Sequence, residues 1–151
     1  VLHTLLEAIP GLELWLDAGF ADAAAAQALM TRLGGFAAPH VVPVYGSEAL
    51  RSREALAQAF DRADPLGARA VLSLDRRDGH PLDPAGCWQV PALWPQRVIV
   101  MTLERVGSDA GPDLDTLQSV RQRQRGIVLP QRIGGDVGDH HALAAPGRGT
   151  A

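Results

Sequence analysis

Val71-Leu72-Ser73-Leu74-Asp75-Arg76-Arg77-Asp78-Gly79 decides the fold, together with the later stretch Val98–Asp113, V-I-V-M-T-L-E-R-V-G-S-D-A-G-P-D. Each begins as a short apolar run of β type and ends abruptly in polar and glycine-rich residues. A continuous apolar run of this length suits a parallel strand buried on both faces. Charged residues then gather at the carboxyl end of the strand, where α/β barrels keep their chemistry. Asp75 and Thr102 stand at two such strand ends and are the first candidates for function.

Working outward from these runs, the pattern alternates. An amphipathic helix over Val1–Ile9 is stopped by Pro10-Gly11, and a strand follows over Leu12–Leu16. Asp22 caps an alanine-rich helix over Ala23–Leu33, closed by Gly34-Gly35. Val41–Tyr45 reads as a strand despite Pro43, Ser52–Phe60 as a helix, and Asp64–Gly67 as a turn. Ala70–Leu74 is the third strand and leads into a long loop, Arg76–Gln96, that carries Trp88 and Trp94. Arg97–Thr102 is the fourth strand, Asp113–Gln124 a helix, and Ile127–Leu129 the start of a fifth strand. Alternation at this spacing means βαβ units and a parallel sheet. Both an open doubly wound domain and a section of a (β/α)8 barrel fit it.

Composition narrows the class. The 151 residues are 46% hydrophobic and 21% charged, as in an ordinary globular domain able to bury a core. A net charge of −3 argues against a nucleic-acid binder and against an anionic-membrane binder. All 14 basic residues are arginine, which removes Schiff-base lysine chemistry and the P-loop lysine. The single cysteine, Cys87, leaves no internal disulfide framework and fits a reducing, cytoplasmic setting. The apolar stretches fall short of the roughly 20 residues that span a bilayer. Asp136, Asp139, His140 and His141 lack ligand spacing, so no metal is expected, and no other cofactor is implied.

Five strand-end motifs occur in one order: L-W-L-D-A-G-F, V-Y-G-S-E-A-L, V-L-S-L-D-R-R-D-G, V-I-V-M-T-L-E-R-V-G-S-D-A-G-P-D and I-G-G-D. In this the chain resembles the ribotide isomerase and cyclase family of histidine biosynthesis, particularly a related branch of methanogens and methylotrophs. The resemblance runs from about Leu12 to Arg125. It implies a partial phosphate-binding (β/α)8 barrel over residues 1–129, strands three to seven, followed by a divergent tail over 130–151. It further implies an acid–base aldose–ketose isomerase acting on a phosphorylated small molecule. Asp75 then falls on the family's fifth-strand acid and Thr102 on its assisting threonine. The family's first-strand base has no counterpart here, because that strand is absent.

By the same resemblance, Gly19 and Gly46-Ser47 sit at one phosphate rim, Gly134-Gly135 at the start of the other. Arg105 occupies the loop that closes over substrate. Glycines permit close backbone approach to a phosphate, and arginine can grip one bidentately. Two further functions remain open on this scaffold: an enzyme of pterin-linked one-carbon metabolism, and a non-catalytic phosphate-binding or assembly module. A partial barrel would also leave open strand edges, which favour self-association. Asp75 has a physical warrant of its own. A carboxyl directly after apolar residues lies at the rim of a low-dielectric core, where its pKa rises toward working pH.

Overall fold

A computed structural model describes residues 2–125 of the chain. Four parallel strands form its centre: β1 (Leu14–Asp17), β2 (Val41–Gly46), β3 (Val71–Arg77) and, later in the chain, β5 (Arg97–Thr102). They lie side by side in chain order, β1 next to β2, β2 next to β3, and β3 next to β5. Among the described residues the sheet therefore has no point at which strand order reverses. A two-residue strand, β4 (His80–Pro81), folds back antiparallel on the end of β3. The turn between them is Asp78-Gly79, with φ of 50° and 79°, the paired positive angles of a tight hairpin.

The helices are α1 (Leu2–Ala8), α2 (Ala23–Ala37), α3 (Arg53–Ala59), α4 (Pro65–Arg69) and α5 (Leu114–Arg125). Side-chain caps fix four of their starts, that of α5 by Asp113, which accepts from the Thr116 N–H. Asp22 accepts from the Ala25 N–H, Ser52 from the Ala55 N–H and Asp64 from the Gly67 N–H. Helix α2 runs past the expected stop, bending at Gly34 (φ 76°) and resuming to Ala37. The turn expected at Asp64–Gly67 is the first turn of α4, because Pro65 has its φ pre-set for a helix start. The first strand begins two residues later than its sequence pattern suggests and ends on Asp17.

Two apolar layers result. On one face of the sheet, Val41, Tyr45, Leu72 and Leu74 pack with Ala26 and Met30 of α2, Leu56 of α3 and Leu66 of α4. Between β3 and β5 no α-helix covers this face. Instead the segment after β4 makes two short 3-10 turns, Cys87–Gln89 and Pro91–Leu93, that bury Trp88 and Trp94 in the same core. Asp83 pins the first turn by accepting the N–H groups of Cys87 (2.6 Å) and Trp88 (2.9 Å). The Trp94 indole donates to the Cys87 carbonyl at 2.7 Å. Both tryptophans thus form core.

Among the described residues, the apolar cluster on the opposite face is made of strand side chains: Val42, Val44 and Val71, with Ile99 beside them. Trp15 is the register partner of Val42, and Arg97 that of Val71. The Arg97 guanidinium lies 5.1 Å from the Trp15 ring centre and 3.0 Å from the Glu13 carboxylate. It also donates to the Arg69 carbonyl. β1 and β5 are three strand spacings apart, about 14 Å, so the sheet curls toward this face and the pair closes over the valines. That closure explains how three valines are buried on a face without a helix.

β2 and the first five residues of β3 are buried throughout, as runs covered on both faces should be. β5 is not. Most of it is half-buried, because among the described residues it lies at an edge of the sheet, as β1 does at the other. The expected strand at Ile127–Leu129 and the segment 130–151 lie outside the described residues. No helix among the described residues is long and apolar enough to cross a membrane.

Candidate functional site

Asp75 sits at the end of β3 on the curled face, 8% exposed. Its carboxyl is held from both sides. Ser73 Oγ, two residues back on the same face, donates to Oδ1 at 2.8 Å. The Ser47 N–H donates to Oδ2 at 3.1 Å and shares its proton with the Ser73 carbonyl at 2.8 Å. Ser47 is fully buried, and its hydroxyl donates to the Leu82 carbonyl (2.8 Å) while accepting the Asp75 N–H (2.9 Å). One serine side chain thus ties the end of β2 to β3 and to the segment leaving β4. Gly46, Ser47 and Asp75 converge because β2 ends on Gly46, the register partner of Ser73, which puts Ser47 beside Asp75.

The sequence reading missed Glu48. Its carboxylate curls back over Gly46, where a Cβ on Gly46 would stand only 2.2 Å from Oε2 and 2.3 Å from Oε1. From there Glu48 hydrogen-bonds the Asp75 carboxyl. Unlike Asp75, Glu48 is exposed. Burial, then the hydrogen bond and negative charge of Glu48, push the Asp75 pKa up from 3.8 to about 7, against the pull of Ser73 and Ser47. A carboxyl that titrates near neutrality can hold or release a proton at working pH. The available signal for Glu48 was the motif G-S-E itself: a glycine that leaves room, with an acid two residues on.

Thr102 is not brought to this carboxyl. It pairs in register with Arg76, one residue beyond Asp75, so it projects from the helix-covered face. There Thr102 Oγ1 donates to Asp113 Oδ2 at 3.2 Å. Asp113 also accepts from the Thr116 N–H (3.2 Å) and hydroxyl (2.6 Å) and lies 3.7 Å from the Arg76 guanidinium. The Thr116 bonds, with Thr102 and Arg105 adding to them, hold the Asp113 carboxyl below the ordinary aspartate range. This cluster anchors the start of α5 to the strand ends.

The proposed phosphate residues are also accounted for in part. Gly19 (φ 65°) donates its N–H to Asp17 Oδ1 at 3.0 Å, and the Ser47 N–H is committed to β3. Neither amide is directed at an external anion. Arg105 donates to the Pro112 carbonyl at 3.2 Å, pinning its own loop beside a cleft of about 210 Å³. Met101, Thr102, Val106 and Asp113 share that cleft; Asp75 does not line it. Gly134, Gly135, Asp136, Asp139, His140 and His141 lie outside the described residues. Among the described residues, no three His, Cys, Asp or Glu side chains are grouped to hold a metal ion.

Cys87 is fully buried, and burial with the nearby charge of Asp83 and, further off, Asp75 pushes its thiol up to about 12. It is not a nucleophile at neutral pH. No protein-family model matches the chain, and neither the curated proteins nor the solved structures contain a significant match.

Proposed function

We propose that this chain is a section of a phosphate-binding (β/α)8 barrel that catalyses acid–base isomerisation of a phosphorylated sugar, with Asp75 as its acid. One observation carries the chemistry: a buried carboxyl near the carboxyl end of a central parallel strand, which burial and Glu48 push up to about 7. General acid–base groups work best when their pKa lies near the operating pH. The barrel half of the reading draws support from sequential parallel strand order, covering segments on one face, and curl toward the other. An open doubly wound sheet reverses its strand order at a switch point, and the described strands have no such point.

The substrate class rests on the resemblance to the ribotide isomerases; the proton chemistry rests on Asp75. A non-catalytic phosphate-binding module is the weaker reading, since the Gly19 and Ser47 amides already donate to carboxylates of the chain. The test is turnover of the bis-phosphorylated aminoimidazole ribotide by the full-length protein, followed by chromatography of substrate and product. Product formation that disappears in Asp75→Asn supports the proposal. Absence of turnover at high enzyme concentration sinks the ribotide version.

A further inference from the structure

We propose that Glu48 and Asp75 work as one proton-sharing carboxyl pair, with Asp75 as the acid and Glu48 as the base. The inference rests on the isomerase reading and deepens it. Its footing is geometric. Gly46 and Ser73 are register partners, Ser73 holds Asp75, and the Glu48 carboxylate lies in the space a Gly46 side chain would fill. Two adjacent carboxyls cannot both ionise without strong repulsion, so the pair retains one proton over a wide pH range. Asp75, buried and desolvated, is the better place for that proton, and Glu48 lies beside it at the exposed side. Ser47 and Ser73 orient the pair, and the neighbouring thiol of Cys87 stays neutral.

This division of labour matches an aldose–ketose conversion with balanced protons. Glu48 takes the proton from the carbon beside the carbonyl, and that C–H electron pair becomes the C=C bond of an enediol. Asp75 gives its proton to the carbonyl oxygen, which receives the displaced π pair. The pair still holds one proton, now on Glu48. Glu48 then returns it to the former carbonyl carbon. Asp75 accepts the proton of the other hydroxyl, whose electrons form the new carbonyl. No oxidant, metal or second substrate is needed.

The experiment is a carbon-13 carboxyl NMR titration of wild type and Glu48→Gln, joined to ribotide turnover by both. Glu48 is exposed, so the substitution leaves the core packing in place. The expected result is an Asp75 midpoint near 7 in the wild type. Glu48→Gln should lower it by about one unit or more. An unmoved midpoint overturns the pair, whatever the turnover shows. On the ribotide, Glu48→Gln should reduce kcat by about 10²–10⁴-fold with KM little changed. A shifted midpoint with kcat within a few-fold of wild type overturns the base role while leaving Asp75 as the acid. If wild type does not turn over the ribotide, the isomerase reading falls, and the titration alone decides the pair.

Discussion

Asp75→Asn should change how stability depends on pH, and the size of the effect follows from the site. Asp75 titrates at about 7 in the fold against 3.8 when exposed. Its folded pKa is raised, so its contribution to stability is complete below about pH 4 and is lost as pH rises through 7. Three units at 1.36 kcal/mol each set a ceiling of about 4 kcal/mol. The partner Glu48 is exposed and water screens the pair, so about half, roughly 2 kcal/mol, is the working figure. Asparagine keeps the shape, stays neutral, and can still accept from the Ser47 N–H. Urea unfolding of both proteins from pH 4 to pH 8 measures the difference, in which other titrating groups cancel. The variant's advantage over wild type should grow by about 2 kcal/mol across that range. A difference that stays flat within about 0.5 kcal/mol, the error of such extrapolations, would mean that Asp75 ionises freely in the fold. The acid–base role would lose its physical basis.

Four other outcomes are expected. In an active full-length form, Asp75→Asn should reduce turnover by about 10²–10⁴-fold; activity within a few-fold of wild type would make Asp75 structural. Ser47→Ala leaves the Leu82 carbonyl and the Asp75 N–H without their shared partner. It should cost about 1–3 kcal/mol in urea unfolding. Cys87 should resist an aromatic disulfide reagent at pH 8 until denaturant is added, because the thiol is buried and un-ionised; rapid labelling of the native chain would contradict its placement. The outer edges of β1 and β5 have no strand partner among the described residues, and Trp15, Leu114 and Leu117 are exposed. Sedimentation velocity should therefore find concentration-dependent association, whereas a sharp monomer at all concentrations would contradict it.

The apolar runs of β2 and β3 were legible because a strand buried on both faces needs no polar residue along its length. The hairpin turn falls on Asp78-Gly79 because few residues tolerate paired positive φ. The same runs concealed which way Thr102 faces. A strand that is apolar throughout carries no period-two signal, so V-I-V-M-T cannot reveal the parity of its last residue. Register with β3 decides it, and register is a property of two strands together. Glu48 escaped notice for a related reason. It reaches Asp75 only by turning back over a glycine, between segments 27 residues apart in the chain. The crossover between β3 and β5 has no helical periodicity to read, since its 3-10 turns are held by Asp83 and two tryptophans instead.

Gly46 separates two selective pressures that usually act together. Its φ is not in the left-handed range, so its backbone would accept alanine, and the nearest atoms to an added methyl are all in the movable Glu48 carboxylate. Gly46→Ala would restrict the unfolded chain and raise stability by about 0.4–1 kcal/mol. It would also evict Glu48 from Asp75. If turnover needs Glu48 beside Asp75, glycine at this position gives up that stability for activity. Selection for thermal resistance alone should replace Gly46 early, and selection that also demands turnover should retain it.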